Sequence, residues 1–432
     1  MRPLLYLDTA RLGQTLPAAR DAQIDFVRLT AEEPSTLYFE EFLKHGYDGW
    51  PDSYQNRFPD LKTWTGVRGL KQSLRQLAGA PDDWNVLLAS RSLSLVQLAA
   101  RSMFQVCRNV LATDLSWPTY QDAVSKQASV LGGQVTTVPL REAIFHEGWT
   151  ADDVTSFLAK AFADSHCDGL FLPAVDHLGI RVPIRAIVER IRQTSQIQFV
   201  LVDAAQAFCQ LPIEESVAVA DFVVTGGHKW MRAGQPMGIG LFGNHSTEQL
   251  MSKTLHNISN TGSDLDPLLQ FTEQLDGGSL NGHSETVNLM PLFSGAGAAA
   301  EQLNAQKRFT LTVPNDSHPA MDCVPSSLND WQAVLPHRDL RSRVAIFARN
   351  RPWEDTNAAE PARLAWLLAR CIVTAYANGW VRVSMPFSAD GQPRDSGSHF
   401  PVITNNPMFS AFPIEDSVDR LFESPLRRNV SR

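Results

Sequence analysis

The chain has 432 residues, is 44% hydrophobic and 19% charged, and carries a formal net charge of −8. Those values suit a globular protein, and at this length two domains are expected rather than one core. The acidic balance, with no basic run to offset it, argues against a nucleic-acid partner, because phosphate contacts need clustered Lys and Arg.

Met1 to Asp8 lacks an apolar signal core, and no run of about 18 apolar residues occurs. A cytoplasmic protein without membrane contact is expected. The five cysteines, Cys107, Cys167, Cys209, Cys323 and Cys371, are an odd number without CxxC spacing. They read as reduced thiols, with no disulfide framework and no metal site.

From residue 85 to 245, short apolar runs alternate with amphipathic stretches. The predicted strands are 86–89, 110–113, 135–138, 169–172, 199–202, 222–225 and 239–242. Helical spacing occupies Ser90–Val106, Asp152–Ala163 and Ile184–Thr194. This alternation predicts an α/β domain with a mostly parallel seven-stranded sheet, covered by helices on both faces. Ligands of such sheets bind beyond the carboxyl ends of the strands.

The pattern changes after about residue 300. Asn315–Asp330 is rich in polar residues and reads as loop, Pro361–Asn378 as a helix closed by Gly379, and Trp380–Ser384 as a strand. We expect a large domain over 31–300 and a small α+β domain over 301–432, the latter completed by an N-terminal segment over 1–30.

Two positions in the sheet stand out. Asp203 closes the apolar run Phe199–Val202. Lys229 follows the next strand, in Gly226-Gly227-His228-Lys229-Trp230. Both fall at one edge of the sheet. Asp203 alone also reads as a turn or capping residue, and Lys229 alone as a solvated lysine.

Together with three other runs they carry a resemblance. Asp203-Ala204-Ala205-Gln206 followed by Gly226 to Trp230 resembles the class V (cysteine desulfurase-like) aminotransferase family of fold-type I pyridoxal 5'-phosphate (PLP) enzymes. Tyr6-Leu7-Asp8-Thr9-Ala10 is similar to its opening "YLDxA", Leu275 to Asn281 to its "FEAGTPN" loop, and Val381-Arg382-Val383-Ser384 to its late "xRxS". The order and spacing of these runs are family-like over nearly the whole chain.

The resemblance implies the fold-type I PLP-dependent transferase fold and a role for each matching position. Lys229 would hold PLP as a Schiff base, and Asp203 would pair with the pyridinium nitrogen. Gln206 would bond the ring's phenolic oxygen. His228 and Ser92 would serve the phosphate, with Thr225 or a backbone N–H in place of a family Ser at 226, as would Ser279 from the neighbouring subunit of a homodimer whose site lies at the interface. Trp117 would stack on the ring, where the kynureninase branch has Phe-Pro-Thr. Arg382 would clamp the substrate carboxylate. Plainer readings stay open: helix capping for Ser92 and His228, a core ring for Trp117, and a surface ion pair for Arg382.

The chain also departs from the family. Between Cys323 and Arg382 the only cysteine is Cys371, in an apolar helical run, which argues against the desulfurase's nucleophilic loop cysteine. Gly226 stands where several relatives have a phosphate-binding Ser. Asp176 stands where relatives have an Asn near the ring oxygen and the substrate. It would be protonated, face a cationic substrate group, or simply shape a turn. His177, beside it, is a candidate for substrate contact or a loop residue with a backbone partner.

The expected function is a PLP-dependent enzyme acting on an amino acid through an external aldimine and an α-carbanion. A carbon–heteroatom lyase comes first. A class V aminotransferase, an epimerase and a catalytically silent PLP-binding protein are the alternatives.

Overall fold

The computed structural model describes residues 4–33, 40–260, 265–277, 287–308, 318, 320–321, 324–350 and 357–385. The first strand, β1, is Leu5–Tyr6. A seven-stranded sheet follows, built from β2 (Asn85–Ala89), β3 (Asn109–Thr113), β4 (Gln134–Val138), β5 (Gly169–Pro173), β6 (Phe199–Asp203), β7 (Phe222–Gly226) and β8 (Gly238–Phe242). Its order is β2-β8-β7-β6-β5-β3-β4. Only β8 runs against its neighbours β7 and β2. All other pairs are parallel.

Each residue of β3, β5, β6, β7 and β8 is buried. That explains the continuous apolar runs in the sequence, since a parallel sheet is covered on both faces. The helix Ser92–Val106 places Leu95, Val96, Ala99, Ala100 and Met103 on one inward stripe at helical spacing. The helix Ala151–Asp164 starts at a capping box between Thr150 and Asp153.

A four-stranded antiparallel sheet forms the second unit. It contains β9 (Trp331–Val334), β10 (Val344–Arg349), β12 (Thr374–Ala375) and β13 (Val381–Ser384), in the order β12-β13-β10-β9. A short strand, β11 (Cys371–Ile372), pairs in parallel with β1. Asp8 then bridges to Ser384. The N-terminal run is thus stitched to the second unit, while the helix Pro17–Glu32 packs on the helix Met290–Arg308.

The helix expected over Pro361–Asn378 is shorter than its pattern suggested. It spans Ala359–Leu368, and β11 and β12 follow. Arg370 takes a left-handed φ of 65°, which breaks the helix. The next run, Cys371 to Thr374, is rich in β-branched residues, and its first two residues find a partner in Leu5–Tyr6. Cys371 therefore sits in a buried strand, not in a helix. Gly379, with φ of 80°, makes the turn from β12 into β13.

Among the described residues no helix is long and apolar enough to cross a membrane. No group of three or more His, Cys, Asp or Glu among them is placed to hold a metal ion.

Candidate active site

The candidate residues gather at the carboxyl edge of the large sheet. Ser92 lies three residues past β2, Trp117 four past β3, Asp176 and His177 three and four past β5, and Lys229 three past β7. Asp203 is the last residue of β6. Consecutive parallel strands deliver their ends to one side, which is why residues far apart in sequence meet here.

Asp203 is buried, and its Oδ1 accepts a hydrogen bond from Ala205 N at 2.9 Å. Burial pushes its pKa up, against the opposing pull of that bond and of Lys229. Burial pushes the Lys229 amine down; Asp203 works against this and Arg382 with it. Tyr120, three residues beyond Trp117, is raised by burial and by Asp203. Its hydroxyl is therefore neutral.

Ser92 opens its helix and donates Oγ–H to the carbonyl of Thr225 at 2.7 Å. Thr225 in turn donates to Ala204 O at 3.3 Å. His228 is pushed down to about 4, first by burial and then by Lys229 and Arg91. Its Nδ1 is buried without a hydrogen-bond partner. A Cβ on Gly226 would lie 2.9 Å from Ser92 Oγ and 3.5 Å from this Nδ1. The glycine thus leaves open a point where two polar groups converge at a helix N-terminus.

Gln206 is engaged at both ends. Its Nε2 donates to Ala10 O at 2.8 Å, and its Oε1 accepts from Trp230 Nε1 at 2.8 Å. The N-terminal segment also touches the lysine loop, where Gly13 N donates to His228 O at 2.8 Å.

Across the site lies the loop after β5. Asp176 is fully buried, and its Oδ1 accepts from Leu178 N at 2.9 Å and Ile180 N at 2.7 Å. The carboxylate therefore shapes its own turn. Burial, partly offset by these bonds and by Arg141, pushes it up to about 6. His177 is held down to about 3 by burial and by Arg141, Arg382 and Lys229, so its ring is neutral. The Trp117 ring meets it edge-on at 5.4 Å and is 46% exposed, which puts it at the mouth rather than in the core.

Arg382 Nη2 donates to Asp8 at 3.0 Å, and its Nη1 to His177 O at 3.3 Å. Both ion-pair partners are buried, at 5% and 3% exposure. Ser279 lies outside the described residues.

Sequence reasoning missed Asp8, Tyr120, Arg141 and Tyr376. Tyr376 sits over the His177 carbonyl, its hydroxyl 3.5 Å away. Arg141 had a legible signal: it lies three residues past β4, at the same sheet edge as the others.

Residues 66–261 match the family model for class-V aminotransferases. That segment is under half of the chain, and over it the sequence is similar to class-V aminotransferases. Solved structures share the fold at low identity. Ureidoglycine–glyoxylate aminotransferase from Bacillus subtilis is 12% identical, with 90% of this chain and 89% of that chain covered and a TM-score of 0.61. Cysteine desulfurase CsdA from Escherichia coli is 14% identical, with 91% and 92% covered and a TM-score of 0.61. The cystine C–S lyase C-DES, in complex with cysteine persulfide, is 15% identical, with 89% and 93% covered and a TM-score of 0.58. No curated protein matches the chain in sequence.

The class-V match supports an enzyme and implies PLP as its cofactor. The residues present fit that group. The orphaned His228 Nδ1 and the space kept by Gly226 suit a phosphate, and a buried carboxylate stands one strand from the lysine loop.

Proposed function

We propose that this class V enzyme is a carbon–heteroatom lyase acting on an amino acid, with Lys229 as Schiff-base lysine and proton-transfer group. When bound, PLP supplies the electron sink for charge developing at the substrate's α-carbon. The observation that carries the reading is the pairing of Lys229 and Asp203 at the ends of adjacent strands. Burial depresses the lysine amine, which favours a neutral Nζ able to take a proton. Asp203 Oδ2 would face the ring nitrogen, while Oδ1 is fixed by Ala205 N. Ser92, His228 and Thr225 would orient the phosphate end, and Gln206 the ring oxygen. The neutral His177 ring, Tyr376 and Trp117 form the facing wall and limit water.

Elimination is preferred over desulfuration because Cys371 is locked in β11, paired with Leu5 and 1% exposed. A thiol so placed cannot swing onto a substrate. Elimination needs only the lysine and a leaving group. The reading includes a homodimer, with Ser279 serving the partner's phosphate, as in the family.

The test is a panel of amino acids screened for a shift of the visible Schiff-base band, followed by product assays. Pyruvate and ammonia from a β-substituted amino acid fit the lyase. Pyridoxamine phosphate accumulating without ammonia refutes it in favour of transamination.

A further inference from the structure

Two arginines flank the Asp176–His177 turn, and the structure satisfies them unequally. Arg382 is answered by a buried carboxylate. Both oxygens of Asp8 also accept from Thr374 Oγ1, at 3.0 and 2.8 Å, so the pair is locked into the second unit. Only Arg382 Nε lacks a hydrogen bond.

Arg141 has no such partner among the described residues. Its Nη2 donates to the main-chain oxygen of Asp114. The carboxylate oxygen that reaches it, Asp176 Oδ2, stands 4.0 Å away, beyond hydrogen-bond range. Asp176 Oδ1 is committed to Leu178 N and Ile180 N. Arg141 Nε is buried without a partner, and Asp176 Oδ2 likewise. Yet the Arg141 side chain keeps 31% exposure, so one side of the guanidinium is reachable.

A buried N–H of a guanidinium without an acceptor is costly. A carboxylate from solution would meet the accessible side of the guanidinium first, and a turn of the side chain would bring Nε to it in the planar fork that arginine offers. The position is right for a substrate. Arg141 lies at the carboxyl edge of the sheet, 4.0 Å from Asp176, whose neighbour His177 gives its carbonyl to Arg382. Asp176 can also adapt, since its unpartnered oxygen can take a proton when a second anion arrives.

We propose that Arg141 binds a carboxylate of the substrate, while Arg382 serves chiefly to hold Asp8 and the N-terminal run. The proposal rests on Lys229 being the Schiff-base lysine, and it gives the substrate class as an amine bearing a carboxylate within reach of Arg141.

The test uses two probes that consume the Schiff-base band of the holoenzyme without any need to know the substrate. Aminooxyacetate carries a carboxylate, and O-methylhydroxylamine does not. Wild type is expected to react with aminooxyacetate at least about tenfold faster, the worth of one charge-assisted contact. Arg141→Gln should abolish that preference, read as the ratio of the two rates within the same variant. Arg141→Lys, which keeps charge but not the fork, should retain only part of it. Full preference in Arg141→Gln, or no preference in wild type, overturns the proposal. Should Arg141→Gln fail to hold the cofactor, undiminished preference in Arg141→Lys overturns it and a reduced one supports it. A wild-type protein with no band once supplied with PLP sinks the lysine assignment itself, and that is seen before either probe is added.

Discussion

Replacing Asp8 by Ala removes the carboxylate that neutralises Arg382. The guanidinium, buried in the intact protein, would lose its counter-charge, and Thr374 Oγ1 would lose its acceptor. Breaking a buried ion pair from one side costs about 3–5 kcal/mol, because the remaining charge is left uncompensated. The cost should fall where Asp8 ties two chain segments together. Leu7 N donates to Ile372 O at 2.9 Å, Thr9 N to Ser384 O at 3.2 Å, and Ser384 N to Leu7 O at 2.8 Å. Native-state hydrogen exchange reads these amides directly. About 3 kcal/mol corresponds to roughly two orders of magnitude in opening. The double variant Asp8→Ala/Arg382→Met should regain most of the protection, since it no longer buries a lone charge. Protection at Leu7, Thr9 and Ser384 within about fivefold of wild type in Asp8→Ala would refute the reasoning. So would a double variant no better than the single one.

Three other perturbations test the site and its surroundings. In Gly13→Ala the new Cβ would lie 1.9 Å from Lys229 O and 2.8 Å from Arg232 Cγ, so the lysine loop must move; a loss of about 1–3 kcal/mol and of Schiff-base band per protein is expected, and unchanged band and melting would contradict it. Asp176→Asn keeps an Oδ1 acceptor for Leu178 and Ile180 but removes the charge beside Arg141. Its preference for aminooxyacetate should exceed wild type at pH 8 and lose the wild-type rise as pH falls through about 6, where Asp176 takes its proton; identical pH profiles would count against it. His318 is buried, with Nε2 2.9 Å from Ser342 O and Nδ1 accepting from Ala320 N, and burial holds it down to about 4 from about 6.5. Because the folded state favours neutral His318, stability is full above about pH 6.5 and falls as pH drops toward 4; His318→Gln should flatten the unfolding midpoint over that window, and an unaltered slope would exclude this histidine as the cause.

The large sheet was legible because burial on both faces leaves a plain mark. All seven strands appear within a residue or so of their apolar runs, and Asp203 and Lys229 fall at the ends predicted for them. The second unit was less legible, for a physical reason. Residues 371–375 have helical spacing on paper, but Cys371 and Ile372 pair with Leu5–Tyr6, over 360 positions away in sequence, while Thr374 and Ala375 pair with Arg382 and Val381. No local pattern contains the first of these partners. The exposed position of Trp117 was hidden in the same way, since an aromatic next to a proline reads equally as lid or core until His177 is placed against it.

Polar side chains at the site were legible by position but not by partner. Asp8 and Arg382 could each be picked out as part of a run, yet nothing in either run says that they neutralise one another. Arg382 was therefore read as free to clamp a carboxylate, when its best-placed N–H already holds one. The same limit concealed Arg141, which belongs to no run. What exposes it is a comparison of unmet donors: Arg141 Nε is buried, unpartnered and next to a side chain face that solvent still reaches. One arginine committed to the fold and another with a buried donor unmet is the contrast that supports the proposed anion at the second.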